Sequence, residues 1–369
     1  MELKYVEEHT IFETIVGSRA YGIHNEDSDY DKAGVMIPGT EYFYGLNKFE
    51  QFQGYETDKV IYEIRKIIKL ISENNPNCLD LLFSPSHCLI KNSKYWERIQ
   101  ENANLFISKK CKYTFSGYAI AQLQRIKSHK KYLLQPPKEK PEREKYGLSE
   151  DSIFQTSQLK SLINIESLFN YVEIENRDRL LHELDTVYAD NVIPIFKKYL
   201  NPDRSEIFLS YIQNTLHSQL NTFTILGQHG YLKEEYLEEA ERELKYQNAL
   251  REWKQYDHWK KTRNSTRAEI EAKYGFDLKH AAHLIRLLRM GKEILDTGKV
   301  NVDRTNIDAK ELKDIRYRGI WGYEKVLEYT EKMESELNES YKNSTLQKAP
   351  KITKINKLLC SIVEEYLKG

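Results

Sequence analysis

Asp29 and Asp31 are the residues of this chain whose type and spacing best suit chemistry. They stand two positions apart in residues 28–37, a segment with the pattern of a β-strand, and side chains two apart on a strand point to the same face. Two carboxylates about 4 Å apart repel by roughly 4 kcal/mol at an effective dielectric constant of about 20. A divalent cation relieves this repulsion, and carboxylate oxygens favour Mg²⁺ or Mn²⁺, which also bind phosphates. The pair therefore predicts a metal site for chemistry on phosphates.

A third carboxylate is expected from a neighbouring strand, because paired metal ions that stabilise both the attacking and the leaving oxygen need further ligands. Residues 57–64 form the next predicted strand and offer Asp58 and Glu63 on opposite faces. We favour Asp58 over Glu63 as the third metal ligand. The structural alternative is that Asp29 and Asp31 are turn residues that only cap a loop.

A glycine–serine turn precedes the acids. Residues 11–16 predict a buried strand, which ends at Gly17 and Ser18. Glycine lets the chain turn sharply, and the backbone N–H groups of such a turn can bind phosphate. We expect Gly17 and Ser18 to hold a triphosphate, with Arg19 either assisting them or forming an ion pair with a surface acid. A phosphate-binding turn beside paired carboxylates is the minimum equipment for metal-assisted nucleotidyl transfer.

This combination resembles the DNA polymerase β-like nucleotidyltransferase superfamily, whose signature is an apolar strand, Gly-Ser or Gly-Gly, and then Asp-x-Asp. The resemblance is closest to the nucleotidyltransferases associated with RNA-repair pathways in bacteria and phages. It implies that Asp29, Asp31 and Asp58 bind metal ions and that Gly17 and Ser18 hold the triphosphate. It covers roughly residues 10–130 and 250–325, and the matching segments are 17–22, 28–35, 58–66, 75–83, 114–119 and 274–288.

Lys279, His283 and Arg286 form a second candidate cluster, on a helix predicted over residues 278–288. Their spacings of four and three residues place them on one helical face, where two cations and an imidazole would neutralise charge that develops during transfer. We expect them to bind the nucleotide; a structural cluster paired with carboxylates is the alternative. A zinc site built from His280 and His283 is disfavoured, because no cysteine or further histidine stands at a ligand spacing nearby.

Other polar side chains have less specific patterns. Gln122, Arg125 and His129 share one face of a predicted helix, where they would either reach a nucleotide or form a solvated face. Asp80 follows Pro76 in an apolar stretch. We favour a helix-capping role for Asp80 over support of the acid cluster from behind.

The organisation of the chain predicts an α+β protein, because strand and helix signals alternate over residues 9–90 and helical periodicity follows. We place a nucleotidyltransferase domain with a mixed sheet at residues 1–103 and a mainly helical domain at residues 104–369. Residues 136–147 are charged and proline-rich, which is typical of an exposed loop. Residues 151–244 return to helical periodicity.

Composition limits the class of protein. The 369 residues include 56 basic and 56 acidic side chains, so no global charge excess favours nucleic-acid binding. No apolar stretch approaches the length of a membrane span, and the N-terminus lacks the pattern of a signal peptide. The four cysteines show no metal-binding spacing. We therefore expect a cytoplasmic protein with reduced thiols and no membrane partner.

The resemblance implies transfer of an NMP from an NTP such as ATP to an acceptor hydroxyl, with release of pyrophosphate. An RNA 3′ end is the preferred acceptor, and a protein hydroxyl or a small molecule stays open. The same scaffold would also suit a noncatalytic nucleotide- or RNA-binding protein, or a toxin–antitoxin type nucleotidyltransferase that modifies a protein or tRNA. The preferred NTP and the oligomeric state stay open as well.

Overall fold

The structure, a computed structural model, describes most of the chain: residues 3–54, 58–152, 159, 176–184, 198, 234–263 and 265–369. Much of the helical periodicity predicted over residues 151–244 lies outside these ranges. The chain divides into two compact units, the first made of Met1–Leu134 with Asn264–Gly369 and the second of Gln135–Arg263. The domain boundary placed at residue 103 from the sequence stays a prediction.

In the described part of the chain, five strands form one mixed sheet in the first unit. They are β1 (Thr10–Ile15), β2 (Lys32–Met36), β3 (Gln51–Gly54), β4 (Lys59–Glu63) and β5 (Leu89–Asn92). The order across the sheet is β3-β4-β2-β1-β5. β2 and β4 run parallel, and the other neighbouring strands run antiparallel.

Helices surround this sheet in the first unit and account for most of the described residues of the second. The α-helices are α1 (Leu3–His9), α2 (Ile64–Ser72), α3 (Pro76–Leu82), α4 (Lys94–Glu101), α5 (Cys111–Leu134), α6 (Arg177–Leu184), α7 (Glu234–Thr262), α8 (Ser265–Tyr274), α9 (Leu278–Thr297), α10 (Ala309–Lys313), α11 (Tyr323–Asn343) and α12 (Ile352–Leu367). A single π-helical turn over Asp314–Arg318 follows α10. The mixed sheet followed by helices confirms the predicted α+β class.

No helix within the described ranges combines the length and the apolar character that a bilayer crossing requires. The proline-rich segment predicted over residues 136–147 contains a 3₁₀ helix, Arg143–Tyr146, which ends at Gly147 in the left-handed region. The proline-rich segment is therefore not part of the sheet that carries the predicted acids.

Two of the three predicted strands, those that follow the acids, begin later than the sequence pattern indicates. The strand predicted over residues 28–37 starts only at Lys32, so Asp29 lies before it in a loop. The main reason is a tertiary contact, because the Arg19 guanidinium donates to the carbonyls of Ser28 and Asp29 at 2.7 and 3.2 Å. Asp58 likewise precedes its strand, with a φ of 44° that interrupts the extended backbone.

The sheet is buried on both faces, which fixes the strand ends that carry the acids. Val35 of β2 packs into the main core. Met36, its neighbour on the opposite face, packs with Val6 of α1 and Ile61 of β4. The main core continues without a break into α5 and α9, so the strands and the first turn of α9 belong to one packed body.

Candidate active site

The chain turns tightly between β1 and the acids. Gly17 and Gly22 have φ values of 70° and 69°, the left-handed region that glycine enters without steric cost. The Tyr21 N–H donates to the Gly17 carbonyl at 3.2 Å, and the Ile23 N–H donates to the Ser18 carbonyl at 2.9 Å. Among the described residues, no backbone oxygen accepts the backbone N–H of Ser18.

Asp31 closes over this turn. A β-carbon on Gly17 would lie 2.9 Å from Oδ2 of Asp31. Asp31 also stands beside Asp58, because each directly precedes one of the paired residues Lys32 and Lys59 of the parallel strands. The Lys32 N–H donates to the Asp58 carbonyl at 3.0 Å. The fold therefore brings the glycine turn and two of the three predicted acids to one edge of the sheet.

The three carboxylates act on one another. Asp29 and Asp58 are exposed, and Asp31 is half-buried. Burial raises the pKa of Asp31, and the negative charges of Asp29 and Asp58 raise this pKa further. The charges of Lys279 and Arg316 lower it. Desolvation and repulsion thus both disfavour the negatively charged form of Asp31. A bound cation would offset both effects.

These donors fit a hard divalent cation in kind, although their oxygens are not yet gathered around one point. Within the described ranges, the carboxylates of Asp29, Asp31 and Asp58 do not all lie within 4.8 Å of one another. Repulsion between like charges favours such spacing. Carboxylates on short, exposed side chains can rotate to close around an ion, and oxygen-only ligand sets suit Mg²⁺ or Mn²⁺.

Glu63, the other acid considered for this site, lies at the far end of β4. Its buried carboxylate accepts the Lys66 N–H at 3.2 Å as the N-cap of α2 and pairs with Arg65 at 2.9 Å. These contacts commit Glu63 to the start of α2. Asp58, and not Glu63, is the acid that stands beside Asp31.

In the described part of the chain, Arg19 does not form the ion pair with a surface acid that is one of its two expected roles, and its role at the triphosphate stays a prediction. Besides donating to the carbonyls of Ser28 and Asp29, its guanidinium lies 3.4 Å from the centre of the Tyr30 ring. Within the described residues, Arg19 thus contacts carbonyl oxygens and an aromatic face, not a surface carboxylate. Arg19 holds the backbone of the acidic loop in place.

The cluster predicted on α9 divides into different environments. Lys279 is exposed in the first turn, and its charge acts on Asp31. His283 is half-buried, and burial followed by the charge of Arg286 lowers its pKa to about 3, so the imidazole is neutral at physiological pH. Arg286 is only 2% exposed, which does not fit the direct nucleotide contact predicted for it.

Arg286 instead belongs to a buried polar set behind the glycine turn. Its Cζ lies 3.6 Å from the centre of the Tyr21 ring, and its Nη1 lies 3.9 Å from Oδ2 of Asp80. The Tyr21 hydroxyl donates to the same Asp80 oxygen at 2.5 Å. Burial raises the pKa values of Tyr21 and Asp80, and the Arg286 charge opposes both shifts.

The helix-capping role predicted for Asp80 is wrong, because Asn75 caps α3.

Two residues near the acids were missed in the sequence. Arg316, in the π-helical turn, places a positive charge that acts on Asp31. The hydroxyl of Tyr317 lies 3.3 Å from Oγ of Ser28 and 3.5 Å from Oδ1 of Asn25. Tyr317 stands 289 and 292 positions from Ser28 and Asn25, so no local pattern could have indicated the pairing.

The mixed sheet, the left-handed glycine turn and the neighbouring acids define a polymerase β-like nucleotidyltransferase domain. Residues 2–137, a little over a third of the chain, match the family model RlaP, the RNA repair pathway DNA polymerase beta family. The match confirms the resemblance inferred from the motifs, and it indicates nucleotidyltransferase activity in RNA repair. Neither a curated protein nor a solved structure gives a significant match.

Proposed function

We propose that this protein is a metal-dependent nucleotidyltransferase that moves an NMP from an NTP to an acceptor hydroxyl and releases pyrophosphate. The observation that carries the proposal is the position of Asp31, against Gly17 and beside Asp58 at the start of the neighbouring parallel strand. An RNA 3′ end is the preferred acceptor, because the matching family is one of RNA repair.

Asp29 and Asp31 would hold Mg²⁺ or Mn²⁺, and Asp58 would join them on the acceptor side. When bound, the cation would polarise the α-phosphate and compensate the charge of the leaving pyrophosphate. The contact between Asp31 and Gly17 keeps this carboxylate at the base of the phosphate-binding turn. The hold of Arg19 on the Asp29 carbonyl orients the second ligand.

The glycine turn and the first turn of α9 would bind the nucleotide. The N–H and hydroxyl of Ser18 would donate to the β- and γ-phosphates, and Lys279 would add positive charge on the same side. A neutral His283 would serve as a hydrogen-bonding group rather than as a cation. Arg286 acts through Tyr21, by bracing the turn from behind.

In the reaction, the acceptor oxygen forms a bond to the α-phosphorus while the bond between this phosphorus and the bridging oxygen of the β-phosphate breaks. The electron pair of the broken bond leaves with pyrophosphate. The proton of the acceptor hydroxyl passes to Asp58. Binding of the leaving group by the glycine turn keeps it in line with the acceptor, so the protein contributes mainly by positioning and electrostatics.

The test is incubation of the full chain with each α-labelled NTP, Mg²⁺ and an RNA that ends in a 3′ hydroxyl, with the same RNA ending in a 3′ phosphate as the matched control. We expect label on the hydroxyl-ended RNA only, and none with Asp29→Asn. Full transfer by Asp29→Asn would exclude the proposed metal role. Label on protein from a lysate would indicate the toxin–antitoxin type, and NTP binding without transfer to any acceptor would indicate the noncatalytic alternative.

Thermal unfolding gives a readout that does not depend on the acceptor. The folded-state pKa of Asp31 is raised, so its carboxyl group binds a proton more tightly in the native state than it does in the unfolded chain. Stability therefore falls as the pH rises above the unfolded-state pKa. We expect Asp31→Asn to be more stable than the wild type by roughly 0.5–1 kcal/mol in EDTA at pH 7. Mg²⁺ should raise the melting temperature of the wild type and not that of the variant.

A further inference from the structure

Four titratable side chains from three helices meet in the first unit, and none of them belongs to the predicted acidic site. His129 comes from α5, Glu271 from α8, Asp277 is the N-cap of α9, and His280 lies in its first turn. The side chains of both carboxylates are 3% exposed, and those of the histidines are 18% and 15% exposed. Carboxylates this deeply buried are stabilised by nearby positive charge, which a metal ion can supply.

Three of these four side chains, His129, Asp277 and His280, place ligand atoms at spacings that suit a metal ion, and Glu271 lies beside His129. Oδ2 of Asp277 lies 3.6 Å from Nε2 of His280 and 3.9 Å from Nδ1 of His129. Oε1 of Glu271 lies 3.5 Å from the same nitrogen of His129. In a tetrahedral zinc site with bonds of about 2.0–2.1 Å, ligand atoms stand roughly 3.4 Å apart. The ligand atoms of His129, Asp277 and His280 all lie within 4.8 Å of one another, so modest side-chain rotations would close the site.

Contacts outside this group already orient its atoms. Nδ1 of His280 lies 2.7 Å from Oε1 of the buried Gln122. This oxygen only accepts hydrogen bonds, so Nδ1 carries the proton and Nε2 presents its lone pair toward Asp277. Oδ1 of Asp277 accepts the His280 backbone N–H at 2.9 Å, while Oδ2 is the oxygen nearest both histidines. Hydrogen bonds of this kind, which fix the tautomer and the ligand atom, are typical of metal-binding histidines.

We propose that His129, Asp277 and His280 bind a structural Zn²⁺ ion, with Glu271 as the fourth ligand. Two imidazoles and two carboxylates form a nitrogen and oxygen ligand set that zinc accepts in tetrahedral geometry. This site does not depend on the proposed transfer reaction. It ties α5 to α8 and α9, and so fixes the helix that presents Lys279. The pair of His280 with the distant His129 also differs from the pair of His280 with His283, which the sequence disfavoured.

The competing interpretation is a protonated His129 that pairs with Glu271 and Asp277 without metal. Metal binding by the full chain, stripped with a chelator and then titrated with Zn²⁺ or Co²⁺, separates the two. With excess Mg²⁺ present to occupy the carboxylate site at Asp29 and Asp31, we expect one equivalent of bound Zn²⁺ or Co²⁺, the strong visible absorption of tetrahedral Co²⁺, and a higher melting temperature with Zn²⁺. An absence of Co²⁺ absorption and of Zn²⁺ retention in the wild type would overturn the proposal.

Variants then locate the ion. His280→Gln and Asp277→Asn should each lose the Co²⁺ absorption and the Zn²⁺-dependent rise in melting temperature, and Asp277→Asn keeps an N-cap side chain so that the helix can still form. The exposed His87→Ala is the matched histidine control, and Asp29→Asn controls for the proposed Mg²⁺ site; both should bind Co²⁺ as the wild type does. Unchanged Co²⁺ binding by His280→Gln and Asp277→Asn, or its loss in His87→Ala, would overturn the assignment.

Discussion

The carboxylate of Asp31 lies against the α-carbon of Gly17, so that a β-carbon at position 17 would stand 2.9 Å from Oδ2 of Asp31. Position 17 also has a φ of 70°, which side chains other than glycine rarely adopt. Steric contact and backbone conformation therefore demand glycine independently. The turn and the acid are built as one unit, and a change in one is expected to displace the other.

Gly17→Ala should weaken both stability and transfer. The left-handed backbone alone costs an alanine about 1–2 kcal/mol, and the displaced Asp31 would no longer meet the ion, so loss of transfer should exceed the loss of folded protein. Urea unfolding and the label-transfer assay measure the two effects. Gly117→Ala is the control: its β-carbon meets no atom within 4 Å, and alanine should stabilise α5 by about 0.5–1 kcal/mol. Wild-type activity in Gly17→Ala would contradict the proposed role of this turn.

Substitutions at Asp58 and at Glu63 should have opposite effects on stability and on transfer, and so distinguish the two acids. Asparagine also tolerates the left-handed backbone of position 58, so Asp58→Asn should keep its melting temperature and lose transfer. Glu63→Ala removes the N-cap of α2 and should cost about 1 kcal/mol of stability while the folded fraction keeps its turnover rate. The reverse pattern, with activity lost at position 63 and kept at position 58, would make Glu63 the third acid.

Arg286→Met should destabilise the fold strongly, because it leaves the buried Asp80 without its cation. Removing one partner of a buried ion pair costs about 3–5 kcal/mol. The double variant with Asp80→Asn removes the charge as well as its partner, and it should be more stable than Arg286→Met alone. Urea unfolding of the two single variants and the double variant measures this coupling. If the two single effects simply add, the ion pair is not the source of stability.

His283 should make the protein less stable as the pH falls. Its pKa is about 3 in the folded state and 6.5 in the absence of burial, so the unfolded chain binds this proton more readily. Stability from this group is complete above pH 6.5 and is lost progressively toward pH 3. Between pH 6.5 and 5 the loss is about 2 kcal/mol. Urea unfolding at these two pH values should show a smaller loss in His283→Gln, and an equal loss in both proteins would contradict a depressed pKa.

Local sequence patterns predicted the parts of the candidate site that depend on residues close together in the sequence. The apolar run before Gly17 and the two-residue spacing of Asp29 and Asp31 are properties of a few consecutive positions, and the family match supports the class drawn from them. The start of β2 was misplaced, because the carbonyl of Ser28 is taken by the Arg19 guanidinium. Propensity does not report such a contact.

For α9, helical spacing predicted which side chains share a face but not how deeply they are buried. It correctly indicates that Lys279, His283 and Arg286 project from similar positions around the helix, but not how deeply each end of that face is buried. The apolar ring of Tyr21 and the carboxylate of Asp80 cover Arg286, and they come from elements more than 200 positions earlier in the chain. A separation of about 150 positions likewise concealed the pairing of His129 with His280.

The close approach of α5 and α9 has a consequence for synthesis. At Gly291 of α9, an added β-carbon would stand 2.9 Å from Cβ of Phe115, so these helices meet with almost no gap. Residues 135–263 must leave the ribosome between the two halves of this contact. During synthesis, the apolar side of α5 therefore has no α9 to pack against until Thr297, the last residue of α9, has left the ribosome. Fragments truncated after residue 137 expose that side permanently and are expected to aggregate.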